Sequence, residues 1–416
     1  MRGELISVGT ELLLGQITDT NATFLSQVLA DHGVDVLFRQ TVGDNLDRVV
    51  EVTRHAIQRS DLIVMTGGLG PTEDDLTVEA VALAAGMPLV FDKTVADRIR
   101  AMYEQRRRAM PESVFRQARI PEGAEVIPNN RGTAPGLIVR TGSRTIFMFP
   151  GVPREMEGLV ADGLVPWLRE HGGAAKIRSR VLRIVGLGES IVEDKVKDLI
   201  RGTNPTVAPL AKSGEVHLRI TAKGLPTDAD AAIQSMEAHI RERLGDAVFG
   251  IDDETLEAVT ARSLVDRGLT LAVAESCTGG LIAARLTQVA GSSAFLLAGF
   301  VPYSNEAKVR DLGVSADLIA EHGAVSAPVA QAMARGARER TGADLAIAVT
   351  GIAGPTGGTD SKPVGLVHFG IASQKSTQSL EQRFGSSPGR EGVRHLTAQG
   401  ALNLIRLVAQ QEGSKQ

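Results

Sequence analysis

The chain has 416 residues, 43% of them hydrophobic and 23% charged, the balance of a globular protein of two or three domains rather than of a disordered or fibrous chain. A net charge of −4 at pH 7 argues against a protein whose main task is to grip nucleic-acid phosphates, and the lone Cys277 excludes an internal disulfide and a cysteine-rich zinc site. With 45 glycines but only 3% aromatics, the expected core is built from Ala, Val, Leu and Ile on buried strands, with glycine kept for turns where backbone approaches something closely.

The opening MRGELISVG carries Glu4, with Glu11 soon after, and does not read as a secretory signal. No apolar run approaches the ~18 residues of a membrane span. A cytoplasmic location without membrane attachment is expected. Leu5 to Val8 reads as a strand, Asn21 to His32 as a helix, Val34 to Phe38 as a strand, Leu46 to Ile57 as a helix and Asp61 to Met65 as a buried strand. Gly136 to Val139 and Thr145 to Phe149 follow as strands, then a helix from Pro153 to about Arg169. Strands alternating with helices predict βαβ units and a mainly parallel sheet over residues 1–171. Arg106, Arg107 and Arg108 read as the solvated face of a helix shared with Arg98 and Arg100.

Small residues around Gly172 and Gly173 mark a break. Residues 172–250 then read as a two-layer α/β module, a spacer or dimerisation domain without a catalytic cluster. From residue 251 to 416 the alternation resumes. A helix runs over Thr255 to Val265, and strands over Leu269 to Ala274, Phe295 to Val301, Asp344 to Val349, Val364 to Ala372 and Leu380 to Phe384. Further helices cover Pro328 to Arg340 and Gly392 to Val408. The expected fold class is α/β throughout, in three domains.

One pattern recurs. Thr66-Gly67-Gly68-Leu69-Gly70-Pro71-Thr72 and Thr350-Gly351-Ile352-Ala353-Gly354-Pro355-Thr356 each follow a buried strand that begins Asp-Leu. Backbone amides freed by glycine cradle phosphate at a strand's carboxyl end. The acids Glu73, Asp74 and Asp75 behind the first loop would repel phosphate unless a divalent cation such as Mg²⁺ joined them to it. The competing reading places them in the first turn of a helix, where acids favour the dipole. Gly9 to Gln16, with Asp19, Thr20 and Asn21 beyond, lies at the same sheet edge. This makes Glu11 and Asn21 candidates for metal or substrate contact, while Asp19 or Thr20 serves equally well as a helix cap.

In the last domain, Glu275-Ser276-Cys277-Thr278-Gly279-Gly280 forms a strand-to-helix turn that would lift a nucleophile above the sheet, with helix-amino-terminal N–H groups as an oxyanion hole. Ser276 needs a base, and Lys308 is a candidate because a desolvated lysine loses its proton near neutrality. Cys277 is the rival nucleophile, and the residues alone leave the choice open. None of the eight histidines reads as lying beside these loops. Arg383, Arg390 and Arg394 flank a Gly/Ser loop that opens a helix and suits a substrate phosphate.

Thr66 to Asp75, Gly9 to Asn21 and Pro150 to Pro153 resemble the amino-terminal domain of the CinA family, itself similar to molybdopterin-binding enzymes of the MoaB type. Glu275 to Gly280, Tyr303 to Lys308 and Thr350 to Gly358 resemble the carboxy-terminal CinA domain, which also occurs alone as PncC. The middle module resembles a KH fold, without a basic G-x-x-G loop. The resemblance implies a nicotinamide mononucleotide (NMN) amidohydrolase in the last domain, with Ser276 as nucleophile, Lys308 as base and no cofactor. Tyr303, Thr278, Gly279, Gly280, Thr350, Gly351, Gly354 and Arg390 would orient or hold the nucleotide. It further implies a metal-dependent ADP-ribose pyrophosphatase in the first domain, with Asp74, Asp75 and Glu11 on the metal and Thr66, Gly67, Gly68, Gly70 and Asn21 on the substrate. A homodimer is expected, and nucleic acid is not an expected partner. The alternatives are a nucleotide- or molybdopterin-binding scaffold in competence or recombination, and molybdenum-cofactor synthesis.

Overall fold

The computed structural model describes residues 1–107 and 109–412. They fall into two compact units, Met1–Arg178 with Ala222–Ala232 and Ser179–Thr221 with Ile233–Gln416.

The first unit is built on a six-stranded sheet in the order Asp35–Val42, Arg2–Val8, Leu62–Thr66, Arg144–Phe149, Gly136–Thr141, Glu125–Ile127. The first four strands are mutually parallel and the last two run antiparallel. The run Leu-Ile-Val-Met-Thr is buried at every position, as a parallel strand covered on both faces must be. Successive side chains serve opposite layers. Leu5, Leu62, Val64, Phe147 and Phe149 pack with Leu25, Leu29 and Met156. Ile6, Ile63, Met65, Ile146 and Met148 pack with Val49, Val50 and Ala80. Because the first strand lies between the second and third, strand order reverses there, and the loops after Val8 and Thr66 border the resulting crevice.

The helix carrying Arg98 and Arg100 ends at Gln105. Arg106 caps it, and Arg107 sits at φ 51, outside helical geometry. The expected arginine face therefore stops short of them, and Arg108 lies outside the described residues. The segment after Pro153 is helical as Pro153–Leu159 and Val165–His171, joined by a π-helical turn over Val160–Leu164.

The second unit holds two sheets. A four-stranded one runs Thr206–Lys212, Glu215–Gly224, Lys176–Val185, Val248–Ile251. The five-stranded one runs Leu296–Phe300, Leu271–Glu275, Leu345–Gly351, Leu366–Ala372, Thr377–Arg383, with its first three strands parallel. Here the two faces differ in bulk. Leu271, Val273, Leu345, Ile347, Val349 and Phe369 pack with Leu264, Leu402 and Ile405. Ala272, Ala274, Ala346 and Ala348 face Val329, Met333 and Ala337 of the helix Ala327–Thr341. A Cβ on Gly370 would collide with the Ala330 carbonyl, so that helix rides against the sheet backbone itself. The small residues Ala272, Ala274, Ala346, Ala348 and Gly370 make this close approach possible. Strand order again reverses beside the first strand, between Leu271–Glu275 and Leu345–Gly351.

Two short helices, Asn305–Leu312 and Ala316–His322, are capped by the Ser304 and Ser315 hydroxyls, which accept from Ala307 N and Leu318 N. They are too short for periodicity to reveal, although the serine caps stand in the sequence. Among the described residues no helix is long and apolar enough to cross a membrane.

Candidate functional site

The crevice of the first unit is a cavity of about 480 Å³ formed by the segments around Gly9–Asn21, Thr66–Asp75 and Pro150–Glu155. Thr66 Oγ1 donates to Pro150 O at 3.2 Å, and Asn21 Nδ2 donates to both Thr66 Oγ1 (3.2 Å) and Gly151 O (2.7 Å). Gly67 sits at φ +97, where a Cβ would overlap the Val8 carbonyl oxygen, so the loop lies directly on the tip of the first strand. Thr77 Oγ1 donates to Gly67 O at 2.7 Å and holds it there. Among the described residues, the amides of Gly68, Leu69 and Gly70 donate to no protein acceptor, which is the arrangement that takes an anion.

Glu11, Asp19, Asp44, Asp74, Asp75 and Glu155 line this cavity, and among the described residues no Lys, Arg or His does. Asp74 and Asp75 precede the helix Thr77–Ala85 rather than opening it, so the helix-dipole explanation fails for them. Asp75 Oδ2 instead accepts from Thr72 N (2.8 Å) and Thr72 Oγ1 (2.5 Å) and pins the loop. A hydrogen bond from the Thr72 side chain holds the Asp74 carboxyl below the usual carboxylate range. Asp19 is a helix cap: it accepts from Ala22 N at 2.9 Å and from Ser7 Oγ at 2.6 Å. Glu11 lies exposed on the short helix Thr10–Leu13 and folds back over Gly9. Among the described residues, no group of three or more His, Cys, Asp or Glu is placed to hold a metal ion. The donors are nevertheless hard oxygens in a cavity without cationic side chains. Such a set suits a hard divalent ion bridging one or two carboxylates to a ligand's phosphate oxygens. Asp44, Gln117 and Glu155 also line the cavity and belong to none of the sequence motifs.

In the second unit the turn after Leu271–Glu275 brings Ser276 to Lys308. Lys308 is 2% exposed, and its Nζ stands 3.2 Å from Ser276 Oγ, 3.0 Å from Pro302 O and 3.3 Å from Tyr303 O. Burial pushes the lysine pKa down. A neutral amine has two N–H groups, which the two carbonyls accept, and one lone pair, which is left for the serine hydroxyl. Cys277 is also buried, and burial pushes its thiol up to about 12. It packs as an apolar residue, whereas Ser276 Oγ is the hydroxyl that stands beside the lysine amine.

The expected oxyanion hole needs correction. Glu275, fully buried, accepts from Gly280 N (3.1 Å), Ile282 N (3.0 Å) and Ala283 N (2.8 Å), so these three of the amides that open the following helix are already engaged. Among the described residues, the amides of Cys277 and Thr278 remain uncommitted. Thr278 Oγ1 is buried without a partner, and its carbonyl accepts from Arg394 at 2.7 Å. Replacing Glu275 by alanine should cost about 3 kcal/mol of stability, because it strips a charged partner from one buried and two half-buried amides. Chemical denaturation checks this, and a loss under 1 kcal/mol would refute it.

Arg390 joins two predicted segments, donating to Gly354 O at 2.8 Å and Tyr303 Oη at 3.1 Å. Thr350 is buried and its hydroxyl donates to Ala324 O at 2.8 Å, while Gly351 ends its strand. Gly279 is exposed and Gly280 caps the helix Leu281–Thr287 in the left-handed region. Pro355 to Asp360, Arg383, Gly385 and Ser386 line one open basin of about 580 Å³, so the second Gly-Pro-Thr loop and the Gly/Ser loop do meet. His368 pairs with Thr350 across the sheet, contrary to the expectation that no histidine lies beside these loops. Its pKa is lowered by burial.

Three family models match: a probable molybdopterin binding domain over residues 4–170, the damage-inducible protein CinA KH domain over 179–250, and the CinA C-terminal domain over 253–409. A competence-damage inducible protein of Moorella thermoacetica is 48% identical, covering 97% of this chain and 98% of that one. A CinA-like protein of Dictyoglomus thermophilum is 45% identical over 98% of both. Among solved structures, the competence/damage inducible protein CihA from Agrobacterium tumefaciens is 43% identical, covering 38% of this chain and 98% of that one, with a TM-score of 0.36.

Proposed function

Because the chain belongs to the CinA family, we propose that it is a bifunctional hydrolase of pyridine-nucleotide recycling. The carboxy-terminal domain deamidates NMN to nicotinate mononucleotide and ammonia. The amino-terminal domain splits ADP-ribose to AMP and ribose 5-phosphate. The observation that carries the first activity is the buried lysine amine 3.2 Å from the serine hydroxyl, with two carbonyls accepting its remaining hydrogens.

Ser276 Oγ adds to the carboxamide carbon as Lys308 Nζ takes its proton. Negative charge on the carbonyl oxygen falls to the uncommitted amides of Cys277 and Thr278. Lys308 then returns the proton to the departing nitrogen, the C–N bond breaks and ammonia leaves an ester on Ser276. Water adds to that ester, again giving its proton to Lys308. Lys308 passes that proton to Ser276 Oγ as the serine C–O bond breaks, and the acid is released. Arg390, Tyr303 and the Gly354 loop form one hydrogen-bonded group suited to hold the nucleotide's phosphate.

In the amino-terminal cavity the amides of Gly68, Leu69 and Gly70 bind a phosphate oxygen, and Thr66 and Asn21 hold their loop in place. One or two of Glu11, Asp74 and Asp75 would hold a divalent ion together with the ligand's phosphate oxygens. When bound, the ion supplies the positive charge that offsets the carboxylates against the pyrophosphate. Hydrolysis consumes one water and breaks one P–O bond.

Incubation with NMN and with ADP-ribose, each with and without EDTA, tests both assignments. Ammonia release from NMN should persist in EDTA, while cleavage of ADP-ribose should fall by at least ~100-fold. Tight nucleotide binding with no turnover of either compound would sink the hydrolase reading and favour a scaffold.

A further inference from the structure

Two carboxamides flank the Thr66–Gly70 loop in the same way. Asn21 gives its N–H hydrogens to Thr66 Oγ1 and Gly151 O. Gln117, 6% exposed, donates Nε2 to Leu69 O at 3.1 Å. The acceptors fix which end of each amide is which, since a carbonyl cannot face a carbonyl. Both side chains line the 480 Å³ cavity, and Asn21 Oδ1 and Gln117 Oε1 are both buried without any hydrogen-bond partner. A buried acceptor left unpaired costs ~1–3 kcal/mol, and two such oxygens at one cavity mark where a ligand's donors belong.

The charge of the cavity narrows the ligand. Six carboxylates line the cavity, and although Asp19, Asp44, Asp75 and Glu155 already accept hydrogen bonds, a cation there needs no neutral amide oxygen to balance its charge. The oxygens of a pyrophosphate linkage carry no hydrogens at neutral pH and are served by the amides of Gly68 to Gly70. What remains for Asn21 and Gln117 is a ligand group that is neutral and donates hydrogen bonds. We propose that Gln117 Oε1 and Asn21 Oδ1 accept hydrogen bonds from the hydroxyls of a ribosyl diol, making Gln117 a specificity-determining residue for a ribose phosphate. This rests on the reading of the cavity as a nucleotide-phosphate site, although binding alone suffices for it and turnover is not required.

The test uses the full-length protein with Mg²⁺ and calorimetric titration of ribose 5-phosphate, 2-deoxyribose 5-phosphate and inorganic pyrophosphate. The intact protein should bind ribose 5-phosphate about tenfold more tightly than the deoxy sugar. Gln117→Met, close in shape but without the acceptor or the donor that reaches Leu69 O, should weaken ribose 5-phosphate about tenfold more than it weakens pyrophosphate. Ammonia release from NMN, assigned to the other unit, reports that the variant is intact. Equal affinity of the intact protein for the two sugars overturns the proposal, as does failure to bind either. So does an equal loss of pyrophosphate binding in Gln117→Met, since Gln117 would then act only by holding Leu69 or a cation. Should Gln117→Met fail to fold, the comparison of the two sugars on the intact protein decides alone. Binding with the expected selectivity but no cleavage of ADP-ribose would overturn the pyrophosphatase assignment and leave this one standing.

Discussion

Replacing Ser276 by alanine should lower NMN turnover by about three orders of magnitude or more, the scale on which removal of a serine nucleophile acts. Lys308→Met should do nearly as much. The two losses should not multiply in the double variant, because nucleophile and base act as a unit. Lys308→Arg should not rescue, since a guanidinium keeps its proton at any working pH. Cys277→Ala should retain turnover within about threefold, because a thiol pushed up to about 12 is no nucleophile near neutrality. The pH profile carries a further signature. The base is the neutral amine, so kcat/KM should fall as pH drops below the Lys308 pKa. Burial lowers that pKa, so the fall should begin below the usual lysine range. A profile flat through that region, or a Cys277→Ala variant as dead as Ser276→Ala, would remove the serine–lysine assignment.

The second large effect belongs to the other unit. Gly67→Ala should reduce ADP-ribose cleavage by about a hundredfold or more while leaving NMN turnover untouched. At φ +97 an L-residue is strained wherever it stands, and here its Cβ would also meet the Val8 carbonyl oxygen. The loop must lift off the first strand, and a displacement of ~1 Å at a catalytic loop costs on the order of a hundredfold. Measuring both activities on one preparation separates a local effect from unfolding. Loss of both would show that Gly67 supports the fold at large, and loss of neither would show that the loop does not position the substrate.

The sheets were legible because buried strands repeat a simple pattern: Leu62 to Met65 and Leu345 to Val349 are continuous apolar runs. The glycine loops were legible because their spacing is local. Long-range partners were not. Nothing near Gln117 in the chain indicates that its amide reaches Leu69, and Glu275 reads as one acid in a turn until the helix amides fold onto it. His368 gave no signal because only strand pairing sets it beside Thr350. What distinguishes Ser276 from Cys277 is burial and the approach of Lys308, and neither is written in two adjacent residues. Arg106 and Arg107 continued a plausible helix pattern, and the chain turns away at Gln105 without a glycine or proline to announce it.

In both parallel sheets the earliest strand ends up inside, flanked by strands that come later in the chain. A chain made from its amino end therefore exposes that strand with both edges open, and such edges pair with whatever strand is at hand. Thr66–Gly70 and Thr350–Gly354 are the segments that follow the strand closing one of those edges. Each half of a site waits on a partner loop that is synthesised only after the intervening helix and outer strand. A nascent chain stopped between the two would hold neither a nucleotide site nor a protected sheet. Vectorial synthesis thus ties the appearance of each activity to the disappearance of an aggregation-prone edge.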